Sequence, residues 1–460
     1  MNNWKGKNIL VIGAARQGFA ATRFLSRSGA KVTLNDKKEV GQFDQLDKPL
    51  DGASVEFHFG SHPLSLLDGK DLICVSGGVP LDIPIIKEAI KQGIPITNDA
   101  QIFLEQITAN VIGITGSAGK TTTTTLIGEI AKSAVHPPTN VWVGGNIGNP
   151  LIDHVDQIRE RDWVVMELSS FQLELMSNSP KIALITNITP NHLDRHKTMN
   201  DYIEAKANIL AFQKRSDIAI LNRDDPNAYA LRNRIKGHML TFGWEKPDTD
   251  SCGTFIDDDM INYFDGKDAH AIMPLDKINL PGKHNYANAL AACAAGIATG
   301  FPIKNLYEGI NNIKNIPHRL ELVMVQNGIR WVNDSIATAP ERVIAALDAT
   351  EGPLILLLGG RDKNLPWENL AKKIAARQPK LVLFGEAGEM IEDVLRDNAY
   401  CGPYYQIDRF KKLSDAVMHA AGIAVPGESV LLSPGGTSYD AFIDFEERGN
   451  EFKELVEKIA

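Results

Sequence analysis

The chain has 460 residues, 43% hydrophobic and 23% charged, a globular composition that excludes long-range disorder and allows about three domains. Its net charge of −9, from 48 basic and 57 acidic residues, denies it the basic field of a broad nucleic-acid binder. Anionic small molecules stay possible, because they need only a local cluster of donors. The four cysteines (Cys74, Cys252, Cys293 and Cys401) form no C-x-x-C pair, so a zinc ribbon, a redox dithiol and a disulfide framework gain no support. The first apolar run ends at Arg16, too short for a signal segment. No stretch approaches the roughly 18 apolar residues of a membrane span. The expectation is a soluble, cytoplasmic protein.

Short apolar runs ending in Gly, Asp or Ser alternate with helical patterns, which predicts parallel α/β architecture. Strands are expected at 8–13, 31–36, 71–77 and 94–98, with helices at 17–28 and 82–92. A second series runs through 111–115, 163–167, 182–187 and 217–222. A third takes in 329–333, 354–359, 380–385 and 429–433. The stretch 244–268 reads as hairpin and loop excursions. Boundaries near 98–104 and at the polar, Pro317-containing segment 312–317 divide the chain into 1–99, 100–315 and 316–460. No internal repeat is found.

The strongest motif is VIGITGSAGKTTTTTLIGEI at 111–130. A strand enters a loop of Gly116, Ser117, Ala118 and Gly119, and Lys120, Thr121 and Thr122 open a helix. Glycines let the backbone approach phosphate oxygens, and a helix N-terminus offers free N–H groups. Lys120 is placed for the β- and γ-phosphates and Thr121 for Mg²⁺. Ile114 stands where the first glycine of the strict G-x-x-x-x-G-K-[ST] pattern belongs. The strand at 163–167 ends in Glu167, a carboxylate suited to Mg²⁺ beside such a loop; by itself a strand-end Glu is usually only solvated. In ITNITPNHLDRH, His192 and His196 stand four apart around Asp194. That spacing allows zinc, a solvated loop, or contacts to Mg²⁺ or substrate.

GAARQG at 13–18, with Asp36 further on, half-matches a dinucleotide fingerprint. Ala15 replaces its second glycine, which weakens a nicotinamide reading, though the strand-end loops can grip another nucleotide. Asn285 and Asn288 share a helix face. Arg319, in PHRLE, and Asp334, in WVNDSIATAP, are polar where a packed core would not want them; each is also compatible with a plain surface role.

Taken together, TGSAGKTT, GGNIGNP, ELSSFQLE, NHLDRH, the Lys206 helix, LPGKHNYANALAA, PHRLE…NDSIATAP and LLSPGGTSYDAFIDFEERG resemble the ATP-dependent Mur ligases across essentially the whole chain. Within that family, the NDS element resembles the branch that adds D-glutamate. The resemblance implies a Rossmann-like N-terminal domain, a P-loop-type central ATPase domain and a Rossmann-like C-terminal domain. It implies a ligase, active in peptidoglycan precursor synthesis, that joins D-glutamate to UDP-N-acetylmuramoyl-L-alanine through an acyl phosphate and releases ADP and phosphate. It also implies ATP and Mg²⁺, two ions by expectation, and a monomer acting on small molecules.

By the same resemblance, Lys120, Glu167, His192 and Lys206 are the catalytic set. ATP is held by residues 116–122 with Asn285, Asn288, Arg319 and Asp334. Mg²⁺ is held by Thr121, Glu167, His192 and Lys206, the last as a carbamate. The UDP-substrate falls to Arg16, Gln17, Asp36, Lys37, Gly78, Asn146 and His192, and D-glutamate to Thr338, Lys363, Ser438 and Phe445. Ala15, Gly77 and Ile336, the last often Lys, depart from the family pattern. Rival readings are a folylpolyglutamate-type ligase, a nicotinamide-dependent dehydrogenase and a non-catalytic ATP-binding module.

Overall fold

The computed structural model describes residues 4–39, 55–146, 148, 150–280, 282–313, 315–363, 365–398 and 407–459. Of the sequence features above, Cys401, Ile147, Asn149 and Pro281 lie outside the described residues. The chain forms three sheets in two compact units, one of residues 1–278 with 284–312 and the other of 279–283 with 313–460.

The first sheet contains β1 (Asn8–Ile12), β2 (Lys31–Asp36), β3 (Val55–Phe59), β4 (Leu72–Val75) and β5 (Ile96–Thr97). They lie parallel in the order β3-β2-β1-β4-β5. This order reverses direction between β1 and β4, which opens a crevice at the carboxyl ends of those strands. β1 alternates its side chains between two cores: Leu10 and Ile12 pack with Ile73, Ile85 and Ile86, while Ile9 and Val11 pack with Phe24 and Leu25. Helix Arg16–Arg27 buries Phe19, Ala20, Ala21, Phe24 and Leu25, most of its circumference. The core on that side runs on without a break into Phe103, Leu151, Val164 and Ala183, so the first two sheets share one apolar interior. Arg23 and Asp153 pair at 2.6 Å across the same junction.

The second sheet contains β6 (Asn110–Thr115), β7 (Val141–Gly145), β8 (Trp163–Glu167), β9 (Ile182–Ile185) and β10 (Ile218–Asn222). It continues with β11 (His238–Phe242), β12 (Cys252–Asp257), β13 (Met260–Phe264) and β14 (Ala269–Pro274). The order is β14-β13-β12-β11-β10-β9-β6-β8-β7, parallel from β7 to β12 and antiparallel through β13 and β14. β6 is therefore an interior strand, flanked by β9 and β8, and the loop leaving it opens at the carboxyl edge.

The third sheet contains β15 (Glu321–Gln326), β16 (Ile329–Asn333), β17 (Leu354–Gly359), β18 (Lys380–Phe384), β19 (Ile407–Phe410) and β20 (Ser429–Gly435). The order is β15-β16-β20-β17-β18-β19, parallel except for β15. Leu354, Leu356 and Leu358 face one core and Ile355 and Leu357 the other, which is why β17 reads as a continuous apolar run.

All twelve strands expected from the sequence form, and the 244–268 excursion is the β12–β13 hairpin that continues into β14. β3, β7, β11, β15 and β19 were not expected. β3, β7, β15 and β19 lie at sheet edges, where residues such as the exposed Glu56 and Arg409 and the half-buried His58 break the apolar pattern. Among the described residues no helix is long and apolar enough to cross a membrane.

Candidate active site

β6 delivers the chain to Gly116 and Gly119, whose φ angles are 153° and 81°. A Cβ on Gly116 would lie 1.8 Å from Thr186 Oγ1, and one on Gly119 2.4 Å from Asn288 Oδ1. A side chain at Gly119 would have to displace Asn288, and one at Gly116 would collide with Thr186. Helix Lys120–Ala134 begins at the next residue. The Lys120 amine folds back onto the loop, donating to Gly116 O at 2.8 Å and Ser117 O at 3.3 Å. Ser117 anchors the loop through Thr189 O at 2.8 Å and lies 3.1 Å from the Tyr202 hydroxyl. Thr186 and Asn187 donate to Ala118 O.

β8 pairs with β6 in parallel and brings Glu167 opposite Ile114. Thr121 Oγ1 donates to Glu167 Oε2 at 2.9 Å, and Asn146 Nδ2 donates to Oε1 at 3.1 Å. A buried carboxylate beside a hydroxyl at a helix N-terminus is a hard oxygen donor set. It suits Mg²⁺, which takes one or two carboxylates and fills its shell with water and phosphate oxygens. Among the described residues no group of three His, Cys, Asp or Glu side chains is arranged as a ready-made metal cage. Of the expected metal residues, Thr121 and Glu167 are thus in contact.

Lys206 sits in helix Met199–Ala211, started by the Thr198–Asp201 capping box, and is 1% exposed. Its amine donates to Gly116 O at 2.7 Å and lies 3.4 Å from Thr115 Oγ1, with the Tyr202 ring centroid 4.7 Å away. Burial, then the Lys120 charge, hold this amine well below the ordinary lysine range, against the pull of Glu167.

The two histidines part company. His192 is exposed at φ 55°, with its ring 5.1 Å edge-on from Phe171. His196 is buried, stacks on the same ring at 5.2 Å and meets Ser170 Oγ at 2.9 Å. His196 is a packing residue. Arg195, 4.5 Å from the Phe171 centroid, donates to Gly78 O and Val79 O. That ties this loop to the first sheet.

Asn285 and Asn288 share a buried face of helix His284–Ala298 and bond each other at 2.9 Å; Thr123 donates to Asn288 Oδ1 at 3.3 Å. They flank the phosphate loop from the side of Gly119. Thr122 is buried within the helix, with its hydroxyl unbonded in the structure.

Arg16 and Gln17 open the helix after β1, Asp36 ends β2, Lys37 follows it, and Gly78 follows β4. All five thus border the crevice at the carboxyl ends of β1, β2 and β4. Asp36 accepts the Ala14 N–H at 2.7 Å and the Lys38 N–H at 2.9 Å. Gly18 allows helix and strand to approach, since its Cβ would lie 1.7 Å from Gly13 O. Ala15 is exposed at the N-cap, and a Cβ on Gly77 would make only ordinary contact.

In the second unit, Asp334 is buried, accepting from Ser433 Oγ at 2.8 Å and Leu320 N at 3.2 Å. Burial pushes its carboxyl up to about 6, against the Ser433 hydrogen bond and the Arg319 charge. Ile336, where the family often has Lys, is buried. Its carbonyl accepts from Arg342 Nη1 at 2.9 Å, so the loop keeps a cationic contact from another residue. Lys363 Nζ reaches Thr338 Oγ1 at 3.4 Å. Ser438 is buried and accepts backbone N–H groups from Ala441 and Phe442. The Phe445 carbonyl accepts from Ser335 Oγ at 2.8 Å.

Sequence reasoning left out Tyr202, Phe171, His318 and Arg448. Arg448 belongs to the quoted FEERG segment, but its partners lie far away in sequence.

Three family models match the chain: Mur ligase MurD-like, N-terminal domain over residues 7–98, Mur ligase middle domain over 114–296, and Mur ligase, glutamate ligase domain over 318–436. The UDP-N-acetylmuramoylalanine--D-glutamate ligase of Symbiobacterium thermophilum is 39% identical over 450 residues, 98% of each chain. Its namesake from Pelotomaculum thermopropionicum is 38% identical over 457 residues, 99% of this chain and 98% of that one. In fold, the chain is similar to a UDP-N-acetylmuramate-alanine ligase from Thermotoga maritima, with a TM-score of 0.60 at 18% identity over 99% of this chain and 100% of that one. With a matching model over each of its three sheet-bearing regions, the chain belongs to the Mur ligase family, on its MurD-like branch.

Proposed function

We propose that this chain is the ATP-dependent ligase that adds D-glutamate to UDP-N-acetylmuramoyl-L-alanine, working as a cytoplasmic monomer on small-molecule substrates. The observation that carries the reading is the convergence of Lys120, Thr121, Glu167 and Lys206 on one phosphate-type loop. It sits in a chain about 39% identical, end to end, to a relative named for this reaction.

The L-alanyl carboxylate attacks the γ-phosphate of ATP, forming an acyl phosphate and ADP. The amine of D-glutamate then attacks the acyl carbon, a C–N bond replaces the C–O bond, and phosphate leaves. The loop N–H groups and Lys120 offset charge on the transferring phosphoryl group. Thr121 and Glu167 would hold Mg²⁺, which neutralises phosphate oxygens and aligns them for in-line attack. His192 and Asn146 face the UDP-substrate on this reading, with Arg16, Gln17, Asp36, Lys37 and Gly78 holding its uridine end. Asn285, Asn288, Arg319 and Asp334 hold the nucleotide, and Thr338, Lys363, Ser438 and Phe445 receive D-glutamate. The domains fall at 1–99, 100–315 and 316–460.

Burial loosens the hold of the Lys206 amine on its proton, and the deprotonated amine is the form that adds CO₂: the nitrogen bonds carbon and releases a proton, leaving a carbamate anion. That anion would ligate a second Mg²⁺, which the amine itself cannot do while protonated.

Purified protein with ATP, Mg²⁺, UDP-N-acetylmuramoyl-L-alanine and D-glutamate is expected to release ADP and phosphate one-to-one with product. AMP release, or equal turnover with L-glutamate, would overturn the reading.

A further inference from the structure

Arg448 lies in helix Phe445–Ile459 and is 0% exposed. Its guanidinium donates from Nε to Ser335 Oγ at 3.0 Å, from Nη2 to Ser335 O at 2.8 Å and from Nη1 to Gly436 O at 3.2 Å. Ser335 in turn donates its hydroxyl proton to Phe445 O. A Cβ on Gly360 would stand 2.8 Å from Nη1, so the loop leading to Lys363 also passes against the guanidinium. One buried cation thus joins the segments bearing Asp334 and Thr338, Lys363, Ser438 and Phe445.

None of its acceptors is a carboxylate. Asp440 is the carboxylate whose charge acts on it, and no hydrogen bond joins the two. Burial lowers the guanidinium only to about 10, so it stays charged at neutral pH. Folding alone does not call for this arrangement. A buried charge is costly without an ionic partner, and a well-packed apolar side chain of similar volume commonly does as well or better. What the charge supplies is a positive potential, poorly screened by solvent, beneath loops that must receive a dicarboxylate.

We propose that Arg448 is the positioning residue of the amino-acid site, holding the 334–338 and 435–438 loops in register and biasing the site toward a dianionic amino acid through a charge that no carboxylate hydrogen-bonds. This rests on the D-glutamate reading above, and wild-type turnover with D-glutamate tests that reading separately, before any variant is compared.

The test uses the full chain with Arg448→Met, Arg448→Lys and Ser335→Ala, measuring KM for each of the three substrates, kcat, and folding by circular dichroism. Arg448→Met is expected to raise KM for D-glutamate at least tenfold and to move KM for the UDP-substrate less than threefold. Arg448→Lys, which keeps the charge and loses the fork, should recover most of that loss. Ser335→Ala should raise KM for D-glutamate by a smaller factor. A folded Arg448→Met with unchanged KM for D-glutamate would overturn the proposal. So would parallel changes for all three substrates, or an Arg448→Lys no better than Arg448→Met. If Arg448→Met does not fold, Ser335→Ala decides: a rise in KM confined to D-glutamate supports the proposal, and an unchanged KM overturns it.

Discussion

Lys120 and Lys206 bring their amines to the same oxygen atom, the carbonyl of Gly116, at 2.8 and 2.7 Å. Lys206 is the buried member, and burial first, then the neighbouring Lys120 charge, loosens its hold on its proton.

Replacing Lys206 by Met should consequently leave the fold intact. Gly116 O keeps its bond from Lys120, and a buried amine is exchanged for a side chain of similar length. The thermal midpoint is expected to stay the same or rise, while turnover falls by roughly a hundredfold or more if the residue serves a metal. Lysine with a depressed folded pKa binds more protons unfolded than folded, so its contribution to stability rises with pH up to its unfolded value near 10.4. The stability difference between wild type and Lys206→Met should therefore shift in favour of wild type as pH rises from 7 to 10, read by urea denaturation. A flat difference would count against a displaced amine.

Gly119→Ala is expected to destabilise the protein by about 1–2 kcal/mol from its left-handed backbone alone, and by more from the clash with Asn288 Oδ1. Asn288→Ala in the same chain should recover the clash but not the backbone strain. The double variant should thus be more stable than the sum of the single changes predicts. Strict additivity would show that the two groups do not touch.

Glu167→Gln should raise the Mg²⁺ concentration for half-maximal ADP release by roughly tenfold or more, since the amide keeps one neutral oxygen and loses the negative charge that suits the cation. Thr121 and Asn146 can both still bond the amide, so the thermal midpoint should barely move. An unchanged Mg²⁺ requirement would remove Glu167 from the metal site.

Asp334 binds its proton more tightly folded than unfolded, so its contribution is fullest below pH 4 and is lost as pH rises through about 6. The span from 3.8 to about 6 corresponds to at most about 3 kcal/mol. Asp334→Asn keeps an acceptor for Leu320 N–H and can donate to Ser433. Its stability relative to wild type should grow between pH 4 and pH 7. Asp99, in the other unit, is displaced in the same direction by burial, and the comparison between variant and wild type cancels it. No pH dependence in that difference would place the Asp334 carboxyl in the ordinary range.

The glycine loop between strand and helix was legible because everything it requires is local: glycines at 116 and 119, Lys120 one residue later, and an apolar strand before them. Glu167 was legible for the same reason, as the last residue of an apolar run. The separate fates of His192 and His196 were not, since both face Phe171 and only the turn at His192 leaves one ring in solvent. Nor could the NDS segment show that Arg342 bonds the loop at the Ile336 carbonyl.

The chain's excess of acid over base, its strand-and-helix alternation and its loop motifs were enough to specify a parallel α/β protein that handles anions through a few local donors. These properties depend on neighbours within a turn of helix or a single strand. Which buried groups carry charge was decided only by the tertiary structure. Lys206 meets its carbonyl 90 residues away, and Arg448 meets Ser335 across 113. Desolvation is set by everything packed around a group, and a linear sequence does not specify that.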